Sequence, residues 1–226
     1  IRGSNIDINT NVGIVGPSGS GKKTLARHIS CRQKPFIQPT KQNLRNLKRI
    51  QTIVQMAAEG SLYLPCFFSL PEKIRCFLIK ESLGKTRLII ANNTPWKTSR
   101  DLQGLSCVKI PKLQDRKKDL LLLADYFTRT CNQSRLSPSG FSFLKNYSWP
   151  GETRQLKTVL FFASLDASRK KSTICQKMLQ LWIYKVEQST SLLEIASLLS
   201  ETELFGLTKK HGYKNKMVWH DDIDLP

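Results

Sequence analysis

The run Gly16-Pro17-Ser18-Gly19-Ser20-Gly21-Lys22 has the Gly-x4-Gly-Lys spacing of a phosphate-binding loop. Glycines let successive backbone N–H groups turn inward around phosphate oxygens, and a lysine at the end of the loop adds a point charge. The hydroxyl that usually follows the lysine is absent: Lys23 stands there and Thr24 is one place late. The candidate nucleotide-binding residues are Gly16, Ser18, Gly19, Ser20, Gly21, Lys22, Lys23 and Thr24. His28 and His211 have no metal partners at useful spacing. The six cysteines (Cys31, Cys66, Cys76, Cys107, Cys131 and Cys175) form no C-x-x-C pair, so no metal site is expected. Their dispersal in apolar settings predicts a reduced, cytoplasmic chain.

A loop of this kind needs a strand before it and a helix after it. Residues 11–15 read as a β-type run, and Leu25, Ala26, His28 and Ile29 continue a helical pattern beyond Lys22. The segment 41–58 places Leu44, Leu47, Ile50, Ile53, Val54 and Ala57 at helical spacing, with basic residues between them. Residues 61–64 predict a strand, 71–82 a helix, and 87–91 (RLIIA) the near-continuous apolar strand of a parallel sheet. Strands alternating with helices predict an α/β architecture. After Pro111 the pattern becomes helical over 117–131, 139–147 and 151–164, with Pro138 and Pro150 near two of the starts. The polar, basic stretch 168–172 reads as a linker, followed by a last helical region over 173–211.

With 226 residues, 40% hydrophobic and 23% charged, the chain has a globular profile and room for one full domain and a small second one. Its longest apolar stretches, 119–127 and 159–165, fall far short of the roughly 18 residues that span a bilayer. The start, Ile1-Arg2-Gly3-Ser4, has neither the apolar core of a secretory signal nor an initiating Met, so a piece of a longer chain is expected. The formal net charge is +19, which points to a polyanionic partner, nucleic acid before an anionic membrane. The basic groups are Lys41/Arg45/Lys48/Arg49, Arg116/Lys117/Lys118, Arg169/Lys170/Lys171 and Lys209/Lys210/Lys214/Lys216.

Residues 16–30 (GPSGSGKKTLARHIS) resemble the G-E-S-G-T-G-K-E-x-x-A-R-x-I-H signature of the AAA+ domain of bacterial enhancer-binding proteins, the activators of the sigma-54 type of RNA polymerase. In that family, too, the position after the lysine is not Ser or Thr. Residues 59–64 (EGSLYL) look like its G-T-L-F-L-D-E-I strand, and 87–93 (RLIIANN) its sensor I strand. Residues 110–120 (IPKLQDRKKDL) are similar to L-P-P-L-R-E-R-x-E-D-I, and 149–156 (WPGETRQL) to W-P-G-N-V-R-E-L. Five motifs stand in the family's order. Residues 195–213 also resemble the end of a Fis-type helix-turn-helix, although the turn is about two residues shorter than the usual 3–4 and Gly206 falls inside the second helix.

The resemblance implies a P-loop AAA+ core with a parallel sheet over 1–112, a small all-α lid over 113–172, and a helix-turn-helix-like DNA-binding segment over 173–226. It implies ATP or ADP as the ligand, with cyclic di-GMP a further candidate, and places Arg154 at the family's sensor II position. It assigns DNA contacts to Thr208, Lys209, Lys210, Lys214 and Lys216. It also exposes departures. The family's acidic pair, which holds Mg²⁺ and polarises the attacking water, is replaced by Pro65 and Cys66. The G-A-F-T-G-A loop that grips the sigma factor is missing, and only a short basic segment separates Ser30 from Gly60. Of the two arginine fingers, Arg100 matches one, and Gly104 stands near the place of the other.

These features give a leading reading: a cytoplasmic, DNA-binding transcription regulator on a non-hydrolysing AAA+ domain, with a homo-oligomer, RNA polymerase or another regulator as further partners. A second reading is a non-DNA-binding adaptor or antagonist acting through the AAA+ scaffold. A third is a true ATPase whose carboxylate comes from Glu59 or Glu72. Single residues stay open in the same way. Arg154 reads equally as a nucleotide contact or as half of a lid–core salt bridge. Asn92 and Asn93 read as sensor groups or as a strand-ending Asx turn, and Trp149 reads as packing.

Overall fold

The computed structural model describes residues 10–30, 34–40, 42–65, 67–96, 105–132 and 134–188. These fall into two compact units, one formed by the described residues of 1–120 with 148–154, the other by those of 121–147 with 155–226.

The first unit is built on a five-stranded, all-parallel sheet in the order β2-β3-β4-β1-β5. The strands are β1 (Val12–Val15), β2 (Phe36–Ile37), β3 (Ser61–Pro65), β4 (Arg87–Asn92) and β5 (Ser106–Lys109). β1 is buried throughout, as are β3 up to Leu64 and β4 up to Ala91, because parallel strands are covered on both faces. One face carries α1 (Lys22–Ile29), whose Ala26 packs with Ile14, Tyr63, Ile89 and Ile110. The other carries α2 (Leu47–Met56) and α3 (Glu72–Ser82), where Ile50, Val54 and Leu78 close over Leu62, Leu88 and Ile90. The two edge strands, β2 and β5, escaped the sequence pattern. β2 has only two residues, and β5 is half-buried in alternation, without an apolar run.

The predicted helix over 41–58 is divided. Asn43–Arg45 forms a 3-10 turn, and Asn46 is extended at φ −116° and caps α2 by accepting hydrogen bonds from the N–H groups of Lys48 (2.9 Å) and Arg49 (3.4 Å). Asn is among the strongest N-caps, so it restarts the helix rather than continuing it. Arg87, read as the first residue of an apolar strand, is buried with its charge satisfied by carbonyls: Nε donates to Thr10 O and Nη1 to Ile29 O, each at 2.8 Å.

The second unit is helical. α4 (Lys117–Asn132) and α6 (Glu152–Arg169) enter it from the first unit; α5 (Pro138–Asn146) and α7 (Gln176–Gln188) lie wholly within it. α6 runs through Ser168 and Arg169, where a linker is predicted, because Ala167 is fully buried and Asp166 is engaged. Trp182 of α7 stacks on Phe162 of α6 (centroids 4.8 Å apart) and donates its indole N–H to Asp166 at 2.8 Å. The boundary read at 172/173 thus falls between two helices of one packed unit. Residues 189–226 lie outside the described residues, as do Cys66, Arg100 and Gly104. No helix among the described residues is long and apolar enough to cross a membrane.

Candidate functional site

The glycine loop leaves the carboxyl end of β1 and turns directly into α1, the end of a parallel sheet where ligands bind in open α/β folds. Its backbone explains its glycines. Gly19 and Gly21 hold φ +80° and +94°, a region that L side chains rarely adopt. At Gly16 a Cβ would lie 2.9 Å from both Ile110 Cβ and Ser20 Oγ. Gly21 is the N-cap of α1 and supplies no side-chain cap, so the helix presents its first N–H groups and its positive end to the loop.

Lys22 is drawn back over the loop. Its ammonium donates to Gly16 O and Pro17 O, each at 2.7 Å, and to Asn93 Oδ1 at 2.9 Å. Asn93 directly follows β4, which neighbours β1, so the sheet order itself delivers it to the lysine. Asn92 does something different: its Nδ2 donates to Thr94 O at 2.8 Å, a local side-chain-to-backbone bond at the end of the strand.

Arg154 meets the loop through its backbone: its N–H donates to Gly19 O at 3.2 Å, and its exposed side chain begins beside Gly19. Arg116, read only as one of a basic group, proves to be a loop contact. Its Nη2 donates to Ser20 O at 3.2 Å and approaches Thr153 Oγ1 at 3.5 Å. The available signal was its place in the motif 110–120. Glu152, at φ +58°, is buried and accepts the N–H of Leu113 at 2.7 Å, which ties residues 113–116 to the start of α6. Trp149 is fully buried. Ser18 and Thr24 are exposed, while Lys23 is half-buried in the first turn of α1. Thr208, Lys209, Lys210, Lys214 and Lys216 lie outside the described residues.

The loop fits a phosphate. Ser20 Oγ is buried without a hydrogen-bond partner, and at Gly21 a Cβ would meet nothing within 4 Å, so the space beside it is open. A hard divalent cation fits poorly. β3 ends at Pro65, which is exposed and paired in register with Ala91, where a carboxylate would be needed. Glu59 cannot substitute. It precedes Ser61, the opposite end of β3, which is four strand residues or about 13 Å from Pro65, and it donates its N–H to Lys85 O. Glu72 opens α3 on the surface. Among the described residues no three His, Cys, Asp or Glu side chains gather as a metal site.

Comparison with known proteins agrees with this fold. Residues 5–113 match the sigma-54 interaction domain and residues 114–193 the AAA+ ATPase lid domain. The chain is 27% identical over 198 residues to the NtrX-like response regulator of Rickettsia typhi, covering 65% of this chain and 41% of that protein. It is 36% identical over 70 residues to the anaerobic nitric oxide reductase transcription regulator NorR of Serratia proteamaculans, covering 28% and 14% of the two chains. NtrX from Brucella abortus, solved in complex with ATP, shares the fold at a TM-score of 0.64 and 19% identity, over 91% of this chain and 59% of that one. Its complex with ADP gives a TM-score of 0.63 at 21% identity, over 89% and 57%. The chain thus spans about two fifths of the NtrX-like relative it matches. With the phosphate loop, the parallel sheet and the helical lid in place, it belongs to the AAA+ family of sigma-54 activators.

Proposed function

We propose that this chain is the nucleotide-binding module of a transcription regulator, and that it holds ATP or ADP in the Gly16–Lys22 loop without hydrolysing it. The observation that carries the reading is Pro65 at the carboxyl end of β3, in register beside the strand that delivers Asn93 to Lys22. Phosphoryl transfer relies on a metal to neutralise charge and on a group to position water. Among the described residues, the carboxyl end of β3 offers Pro65 and no carboxylate for either task. NtrX, a structural relative, has been solved with both ATP and ADP, which supports those ligands over cyclic di-GMP.

In this reading Lys22 exchanges the carbonyls of Gly16 and Pro17 for phosphate oxygens, the α1 N-terminus faces the same anion, and Ser20 Oγ gains a partner. Arg154 and Arg116 are already tied to Gly19 and Ser20. They carry loop occupancy toward the lid, and occupancy sets assembly with a second copy or with another regulator. Duplex DNA is the partner of Thr208, Lys209, Lys210, Lys214 and Lys216 in a cytoplasmic regulator.

Titration with a fluorescent ATP analogue, with and without Mg²⁺, tests the module. Binding is expected to be nearly independent of Mg²⁺ and at least about tenfold weaker in Lys22→Ala, a loss of roughly 1.4 kcal/mol or more. Phosphate release should stay at the background rate. Turnover in the wild type that Lys22→Ala abolishes would refute the reading in favour of a true ATPase.

A further inference from the structure

Residues 8–58 contain nine Lys or Arg and no Asp or Glu, whereas an even spread of the chain's 17 acidic residues over 226 positions would put about four there. Within the described part of this run, Arg45, Lys48 and Arg49 stand together at the 3-10 turn Asn43–Arg45 and the first turn of α2. Arg45, Lys48 and Arg49 are all exposed. Some other basic residues have carboxylate partners: Lys34 with Glu59, Lys85 with Glu81, Arg116 with Asp119, Arg129 with Asp125 and Arg169 with Asp166. Among the described residues, Arg45, Lys48 and Arg49 have none.

We propose that the solvent face of α2, with the turn before it, docks the phosphodiester backbone of duplex nucleic acid. Three features suit that partner. Ile50, Ile53 and Val54 fix the inner face of α2 in the core, so the outer face is held ready. Gln51, Thr52 and Gln55 follow Lys48 at i+3, i+4 and i+7, which extends the cationic end into a row of exposed hydrogen-bonding side chains. Asn46 anchors the helix start, so Lys48 and Arg49 project from a defined turn. An anionic membrane suits the face less well. The exposed apolar residues of α2, Leu47 and Met56, are nine positions apart, about two and a half turns, and so lie on opposite sides of the helix rather than in one insertable stripe.

The surface is independent of the C-terminal lysines, and the test separates the two. The full chain is titrated with fluorescein-labelled 30-base-pair duplex DNA at several salt concentrations. Wild type is compared with Arg45→Gln/Lys48→Gln/Arg49→Gln, with the equal-charge control Lys170→Gln/Lys171→Gln/Lys177→Gln, and with Lys209→Gln/Lys210→Gln/Lys214→Gln/Lys216→Gln. The α2 variant is expected to bind at least about tenfold more weakly, with a salt slope shallower by about 2.7, roughly 0.9 for each phosphate that is no longer neutralised. It should show that loss in the C-terminal variant background too, while the control stays within about twofold of wild type. Nucleotide binding serves as the check that each variant is folded. An α2 variant with wild-type affinity and slope overturns the proposal and leaves C-terminal DNA binding standing. So does a control that loses as much as the α2 variant. Wild-type chain that fails to bind DNA at low salt overturns both. Capture on phosphatidylcholine:phosphatidylglycerol 4:1 vesicles that only the α2 substitutions abolish, with DNA binding intact, assigns the face to a membrane instead.

Discussion

Gly19 is where the local chemistry of the loop is least forgiving. Its φ of +80° disfavours any side chain, and a Cβ there would stand 2.5 Å from the carbonyl oxygen of Gly151. Neither problem has a flexible remedy, because the obstructing atom is backbone. Gly19→Ala is expected to cost about 1–3 kcal/mol, read as a lowered denaturant midpoint. Gly21→Ala meets no atom within 4 Å and carries only the penalty of its φ of +94°, so it should cost less and still weaken nucleotide binding. Equal costs at the two positions would mean that the approach of Gly151 is not a constraint in solution. The lysine illustrates a different point. Its role as a phosphate ligand is legible from spacing, but its actual partners, two loop carbonyls and Asn93, are not, because Asn93 is 71 positions away in sequence.

At the scale of elements, α7 shows how a helix with weak sequence punctuation becomes fixed. Between α6 and α7 the one fully buried residue is Ile174, and the stretch 168–172 is polar and basic. The decision comes from side chains meeting across helices: Trp182 on Phe162 and Asp166, and Glu187 between two donors. Tyr147 donates its hydroxyl to Glu187 at 2.5 Å, and Gln155 donates to the same oxygen at 3.1 Å. Burial and then the neighbouring Glu187 carboxylate push the Tyr147 phenol up to about 12, from an ordinary value of 10.0. A raised folded value means that the phenol contributes stability fully below about pH 10 and loses that contribution as pH rises toward 12. Tyr147→Phe should therefore be less stable than wild type at pH 8–9, with the gap closing between pH 10 and 12. Denaturant midpoints of the two proteins across that range supply the check. A gap that stays constant to pH 12 would show that the phenol titrates as it does in the unfolded chain.

For the whole molecule, a ligand that binds only the folded loop must raise the unfolding midpoint. At a hundredfold excess over its Kd, ATP contributes about 2.7 kcal/mol. That amounts to a shift of about 5–10 °C in a chain of this size, by the usual 2–4 °C per kcal/mol. Thermal scans with and without ATP should show this in the wild type and little of it in Lys22→Ala. An equal shift in both would place the nucleotide elsewhere.

What the sequence determined by itself is what short-range rules write into neighbouring residues. The glycine loop, the apolar run of β4 and the helices after Pro111 all depend on spacing within a few positions. So does membership of the AAA+ family of sigma-54 activators, which rests on motifs in order. Tertiary structure decided the rest. It added the two edge strands, whose half-buried residues carry no continuous apolar signal. It divided the 41–58 helix at Asn46, where capping outweighs apolar periodicity. It placed Arg116 and Arg154 on the loop and excluded Glu59 by putting it at the far end of β3. These outcomes share a cause. Parallel strand order brings the carboxyl ends of β1, β3 and β4 together from positions 15, 65 and 92, and no local pattern records which distant residue a strand will meet.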